Sequence, residues 1–446
     1  MPSAFTSPFV TTKLPLYLST IFLVFGAIAI VPYGDFRDAA ATAPFLTGIG
    51  IMSLGFVLSW GILELPSWWF WTVTLLSRVI LLPMYPGDDV WRYLWEGYIQ
   101  NLGFSPYHLA PNAAELVPLR TPWWELMNHP DVSAIYPPLT QWGFRGLAAI
   151  APSVLVFKLG FVLADLAVCW LLARRFGDRD TLLYAWNPLI LYSFAGGAHY
   201  DSWFILPVVM AWLAWDGGRE KLSALGLGLS VAIKWMSLPM LSFLVLPALK
   251  KWQGTGSDRR GEGESEHFSK QVISVVVLGL LPMAIASIPF CNLQECPLIP
   301  TSSTFVSHGR SAEFFPYLVS QIWPPSMAPG FNKVYLIPLG LVGLLLLWKS
   351  RQFFTFAEGY FFALLVLSPI VHAWYFTWII PFAVASRNLG TRLVSISAFA
   401  YFMLPYYKAL GEGWYLQPPE RYFLWLPFVL GCFWTAIRWG DRGTRR

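Results

Sequence analysis

The chain has 446 residues, 56% of them hydrophobic and only 12% charged. A soluble domain carries about 25% charged residues, so half that value excludes an ordinary soluble enzyme and indicates a polytopic membrane protein. The net charge is +5, but Lys and Arg sit in short loops and at the C-terminus, a pattern that reads as an orientation signal and not as a nucleic-acid surface.

In chain order, apolar segments fit to span a membrane run over residues 14–32, 42–60, 67–85, 154–173, 180–196, 200–215, 271–290, 333–349, 356–371, 373–386, 391–408 and 420–438. Residues 222–249 supply two shorter helices around Lys234. The first segment follows Lys13 without a small-residue cleavage site, so it reads as a span and not as a cleavable signal peptide. The 24 Trp and 34 Phe suit aromatic belts at the membrane interfaces. Cys169 and Cys432 lie within apolar runs and read as packed residues. Cys291 and Cys296 flank a short polar loop and could pair if that loop faces an oxidising compartment.

The connections fall into two chemical classes. Arg174 to Arg179, Arg219 to Lys221, Lys349 to Arg351, Arg387 to Arg392 and the Arg445-Arg446 tail are short and basic. Residues 251–270 form a longer, polar loop with the composition of a flexible segment. The positive-inside rule puts all of these on the cytoplasmic side, together with both termini. Residues 86–138 and 291–330, and the turns at Gly196 to Tyr200, His372 and Gly411 to Glu420, then face outward. Residues 139–152 break the alternation and read as an amphipathic or re-entrant helix. The expectation is an all-α, polytopic transmembrane domain over 1–446 with about 12–14 helices.

The first outward loop is the richest in chemistry. Pro86-Gly87 breaks the preceding span, so Asp88 falls where a helix would start, favoured there as an N-cap and by the helix dipole. If helix continues, Asp89, Arg92, Tyr93 and Glu96 share one face. An ordinary solvated amphipathic helix, with Arg92 and Glu96 as an i, i+4 pair, would look the same. Further on stand Asn128-His129-Pro130 and Tyr136-Pro137-Pro138, where the prolines fix an extended approach to the next helix.

Three later clusters add polar groups. Gly196-Gly197 ends a helix ahead of His199 and Asp201, which are either a surface pair or a phosphate ligand with its tautomer-fixing carboxylate. Lys234, inside Val231 to Met236, either snorkels to the nearer surface or serves the site, since an ammonium at a helix centre costs about 2.5–3.5 kcal/mol. Asp165, also within a span, reads as half of a structural pair. Ser368-Pro369 breaks another span, and His372 marks its turn. Trp374 and Tyr375 follow as a belt or as a platform for a sugar or polyprenyl chain.

Taken in order, GDDVWRYLWEG, GFSPYHLAP, NHPDVSAIYPPLTQ, AWNPLILYSFAGGAHYD and SPIVHAWYFTW resemble bacterial membrane glycosyltransferases of the GT-C type. Among these they are most similar to polyprenol-phosphate-mannose-dependent mannosyltransferases, and more remotely to GPI-anchor mannosyltransferases. The resemblance spans residues 80 to about 380. It implies an enzyme of the bacterial plasma (inner) membrane that moves one sugar, mannose by family weight. The donor would be a polyprenyl-phosphate sugar, and the acceptor a lipid-linked or other glycan on the outer face. Carried onto this sequence, the general base is Asp89, with Asp88 as its neighbour. Arg92, Tyr93, Tyr136, His199, Asp201, Lys234, His372, Trp374 and Tyr375 are the substrate-binding candidates. No nucleotide sugar and no cofactor is implied; a divalent metal could sit beside two adjacent carboxylates but is not needed. Three apolar segments precede the motif loop, a departure from the simpler family plan.

A one-step displacement would invert the anomeric centre, so a β-linked donor would give an α-glycoside. The competing reading is a lipid or solute transporter of the cell envelope. A transporter would be expected to hold its polar groups near the midplane between repeated halves with broken helices. Here they gather on one face, and no internal repeat is evident.

Overall fold

The structure is a computed structural model that describes residues 8–246, 262–291, 296, 309–328 and 330–443. The helices up to residue 216 are α1 (Pro8–Ile30), α2 (Thr42–Ser59), α3 (Ser67–Leu81), α4 (Asp89–Asn101), α5 (Pro138–Ile150), α6 (Val154–Phe176), α7 (Asp178–Ala185), α8 (Pro188–Leu191) and α9 (Asp201–Asp216). Then come α10 (Glu220–Ile233), α11 (Trp235–Leu246), α12 (Glu262–Ser287), α13 (Phe315–Ile322), α14 (Leu336–Lys349) and α15 (Phe353–Leu367). The chain closes with α16 (Ile380–Ser386), α17 (Leu389–Ser397), α18 (Met403–Ala409) and α19 (Pro418–Gly443). The described residues contain no strand, as expected for an all-α membrane protein.

Five helical stretches are long and apolar enough to cross a membrane: Lys13–Tyr33, Ala39–Ser59, Val154–Phe176, Ser269–Ser287 and Phe331–Lys349. Several other expected spans are short or broken. Residues 180–196 divide into α7, α8 and a π-turn at Tyr192–Gly196. Pro188 has no N–H to continue the ladder, and Asn187 takes over at the break. Its side chain accepts from the Leu189 and Ile190 N–H groups and donates to Leu183 O and Ser395 Oγ. Every residue from 181 to 200 is buried, so this kinked segment runs through the middle of the bundle. Residues 391–408 likewise divide at a 3-10 turn, Ala398–Phe402.

Small residues set the closest helix crossings, as is common where lipid supplies no hydrophobic drive. A Cβ on Gly26 would come within 2.5 Å of the Met52 backbone nitrogen, and one on Gly97 within 2.3 Å of Phe144 O. Inside the bundle Arg78 donates to Asp165 at 2.5 Å and to Thr74 O and Ala185 O, so Asp165 is half of a buried structural pair. Lys158 donates to Leu82 O and Met84 O at 3.0 and 2.6 Å. It thereby satisfies carbonyls freed at the end of α3 and holds the approach to Asp88.

The connections segregate to two ends. One end gathers the α3–α5 connection, the Gly196–Tyr200 turn, residues 309–328, the His372 turn and the α18–α19 loop. These are tied by Gly87 N–H to Gly197 O (3.0 Å), Ala312 N–H to Val371 O (3.2 Å) and Trp414 Nε1 to Ser311 Oγ (3.4 Å). The opposite end holds the short basic connections, with Arg387 on Asp180 at 2.8 Å and Arg392 over the Trp60 ring. Cys291 and Cys296 form a disulfide. Of the loop expected at 251–270, residues 251–261 lie outside the described residues, and residues 262–270 open α12 and are helical. In the loop expected at 291–330, residues 292–295, 297–308 and 329 lie outside them. Residues 86–138 contain α4 and two 3-10 turns, and the segment expected as an amphipathic or re-entrant helix at 139–152 is α5, packed across α4.

Candidate functional site

Gly87 hydrogen-bonds the Gly197 carbonyl, and a Cβ on Gly87 would lie 3.3 Å from His199 Nε2. The close backbone approach brings the start of α4 against the Gly196–Tyr200 turn. Asp89, the first residue of α4, accepts from Asn128 Nδ2 at 2.8 Å and faces His199 Nδ1 at 3.6 Å. His199 in turn stacks on Trp374, with ring centroids 3.7 Å apart and 16° between planes. His372 stacks on the same indole at 4.6 Å and 3°. Its Nδ1 meets the Tyr401 hydroxyl at 2.6 Å. Trp374 thus joins two imidazoles contributed by segments far apart in the chain.

A second group adjoins the first. Lys234 ends α10 and donates to Asp201 Oδ1 at 2.5 Å, and the same oxygen accepts from Trp378 Nε1 at 2.6 Å. The ammonium sits 5.0, 4.9 and 4.7 Å from the ring centroids of Tyr200, Tyr375 and Trp378. Three aromatic faces and one carboxylate therefore hold this charge, an arrangement that surface snorkelling does not produce. Tyr375 joins the two groups, its ring meeting His372 edge-on at 5.1 Å and the Lys234 ammonium at 4.9 Å.

The electrostatics separate the two adjacent carboxylates. Burial pushes the Asp88 carboxyl up, and the Asp89 charge pushes it further. Burial would raise Asp89 too, but His199, His372 and the Asn128 amide outweigh it and hold the carboxyl at about 2. Asp88 therefore carries a proton in preference to Asp89, as close carboxylate pairs require. Burial lowers His372 to about 4, against the opposing pull of Asp89, so its ring is neutral at pH 7. Several buried polar atoms of the site find no hydrogen-bond partner: His199 Nδ1, Tyr200 Oη and Asp201 Oδ2. Unsatisfied groups clustered in one place are what a polar ligand or water would complete. Among the described residues no group of three or more His, Cys, Asp or Glu side chains is arranged to hold a metal ion.

Asp88, Asp89, His199, Asp201, Lys234, His372, Trp374 and Tyr375 come together. Three residues expected at the site do other work. Arg92 is buried and donates to Glu96 at 2.8 Å and to the carbonyls of His129, Val132 and Ser133. It clamps the 128–133 loop to α4, which engages four of its five N–H donors. Tyr93 is buried against Phe144 (4.7 Å, stacked) and meets the edges of Tyr136 and Tyr200. The half-buried Tyr136 belongs to the same aromatic packing and receives the Tyr107 hydroxyl on its carbonyl. Asp88 occupies the N-cap position, but its side chain makes no capping bond. In the other direction, Asn128, Trp378 and Tyr401 join the site unannounced. Asn128 lies in a motif already marked by its sequence, whereas nothing in the sequence around Tyr401 points to it.

Comparison with curated proteins gives no match. Comparison with family models matches residues 26–250 to the family described as alpha-(1->6)-mannopyranosyltransferase, N-terminal domain. The matched region carries Asp88, Asp89, His199, Asp201 and Lys234, and it bears out the resemblance read from the motifs. The match covers half of the chain, and the chain therefore belongs to this family of mannosyltransferase-like membrane glycosyltransferases.

Proposed function

We propose that the chain takes one mannosyl unit from a β-linked polyprenyl-phosphate donor and passes it to a saccharide acceptor. The transfer occurs on the outer face of the membrane, with inversion to an α-linkage. The observation that carries this reading is Asp89, an ionised carboxylate held by Asn128 and facing a histidine, in a site whose other cations and hydrogen-bonding groups come from His199, His372 and Lys234. An acceptor hydroxyl approaches C1 of the sugar as the C1–O bond to the phosphate breaks. Its proton becomes strongly acidic as the new C–O bond forms, so even a carboxylate of low basicity can take it late in the step. The bond electrons leave with the lipid phosphate, whose charge the imidazoles and the Lys234 ammonium stabilise by hydrogen bonding. Trp374 and Tyr375 offer apolar faces to the sugar ring or the first isoprene units.

The test supplies purified protein with polyprenyl-phosphate mannose, glucose, galactose and arabinose, and follows the consumed donor by mass spectrometry and the product anomer by NMR. Mannose consumption with an α-linked product is expected. Asp89→Asn should lower turnover by about 10²–10⁴-fold while donor binding persists. Asp88→Asn should cost less, because an amide copies a protonated acid in shape and polarity. Consumption of none of these donors, or an Asp89→Asn protein turning over at the wild-type rate, would sink the reading.

A further inference from the structure

Beside the Asp89 site lies a separate cavity of about 340 Å³, within the range of roughly 300–1,000 Å³ usual for small-molecule sites. It is built from residues 309–328 and the α18–α19 loop. Arg421, at the start of α19, is 1% exposed; it donates to the Glu313 and Leu416 carbonyls and pairs with the Glu313 carboxylate at 3.2 Å. Its Nε, and Nη1 of Arg310 across the cavity, are buried without a hydrogen-bond partner. Tyr317 and Tyr415 flank the Arg421 guanidinium at 4.3 and 5.5 Å from their ring centroids. Gln321 adds an exposed amide to the same wall.

This wall borders the reaction centre. Trp414 lines the cavity, donates to Ser311 Oγ at 3.4 Å, and packs edge-on against Tyr401 at 6.1 Å. Tyr401 is the residue whose hydroxyl meets His372. Trp414 and Tyr401 therefore stand in series between the cavity and His372. The loop that carries Trp414 and Tyr415 turns at Gly411 and Gly413, with φ of +83° and +93°, conformations that a side chain would strain.

We infer that this cavity is a subsite for a pyranose ring of the saccharide acceptor, one that holds the acceptor while its terminal hydroxyl reaches Asp89. The chemistry favours a neutral polyol over the alternatives. Aromatic rings suit the C–H faces of a sugar, and donors and acceptors side by side suit its hydroxyls. A phosphate would meet the Glu313 carboxylate, and a polyprenyl chain would leave the guanidinium groups and the Gln321 amide unpaired. The assignment rests on the reading of the chain as a transferase to a saccharide, so its test is separable from the reaction.

The full chain in lipid nanodiscs is titrated calorimetrically with the methyl glycoside of an α-(1→6)-linked mannotriose, and separately with inorganic phosphate. The saccharide should bind and phosphate should not. Tyr415→Ala and Gln321→Ala, both at exposed positions and so safe for folding, should each weaken saccharide binding by about tenfold, the scale of one lost polar or stacking contact. In the transfer assay they should raise the acceptor KM and leave the donor KM unchanged. Saccharide binding that is undetectable, or unaltered in both variants, overturns the subsite, as does binding of phosphate in its place. Absence of donor turnover would count against the proposed function and leave the binding result standing.

Discussion

His372 is a half-buried imidazole between an indole and a tyrosine hydroxyl, held neutral at about 4 where an unfolded chain would titrate near the ordinary 6.5. Between those two values the unfolded chain binds a proton that the native protein refuses, so native stability falls as the pH drops from about 6.5 towards 4. The gap corresponds to roughly 3 kcal/mol at most. His372→Gln can still hydrogen-bond Tyr401 but does not titrate. Its thermal midpoint should therefore fall less between pH 7 and pH 5 than that of the wild type; parallel curves for the two proteins would contradict the neutral ring. Residues of this kind were legible in part. His199 and His372 stand out in the sequence because polar side chains interrupt apolar runs, whereas Tyr401 sits among aromatics that look alike. Arg92 was legible as a charged residue on the face of Asp89, but charge says nothing about direction. Its three carbonyl partners lie 37 to 41 residues downstream, a distance no local pattern reveals.

The elements that aim the site are α4 and α5, which cross with Gly97 against the Phe144 carbonyl. Around this crossing Glu96 accepts from Arg92 and from Gln141 at 2.6 Å, and Gln100 donates back to Gln141, so a buried polar network pins the pair. Both helices were legible: the Pro-Gly break and the one-face spacing announced α4, and the shortness and amphipathic character of residues 139–152 announced α5. What α4 buries was not. The face expected at a surface is covered by α5 and the 128–133 loop, and only the first residue, Asp89, is left to the site. Gly97→Ala places a Cβ where a backbone oxygen already stands, and a carbonyl cannot rotate away as a side-chain tip can. We expect a loss of about 1–3 kcal/mol, the scale of overpacking in a close-packed interior. Turnover should fall with it, because a wedge at Gly97 tilts the helix that carries Asp89. A Gly97→Ala protein with wild-type midpoint and turnover would show that the crossing is looser than its geometry.

At the scale of the whole molecule, the division between a site-bearing end and a basic end was legible from composition, because loops at alternate ends of successive spans carry different charge. The path between the ends was less so. The run at 180–196 has the composition of a span, yet Asn187, Pro188 and the π-turn break it. A window of hydropathy cannot distinguish a straight span from a kinked one with the same residues. Broken helices are also used by transporters, but here the break at Asn187 is closed by that residue's own side chain, and the Gly196–Tyr200 turn delivers His199 to Asp89. The orientation of the two ends then decides which compartment supplies the substrates. By the positive-inside rule the basic end is expected in the cytoplasm, and the proposed function accordingly has the Asp89 site outside. Single cysteines at Ala114, exposed between α4 and α5, and at Arg351, exposed between α14 and α15, probe one end each. An impermeant maleimide added to intact cells should modify the cysteine at 114 and spare the one at 351 until the membrane is opened. The reverse pattern would move the site to the cytoplasmic face and with it the donor, because a sugar on a lipid carrier would then have to be used before it is flipped across the membrane.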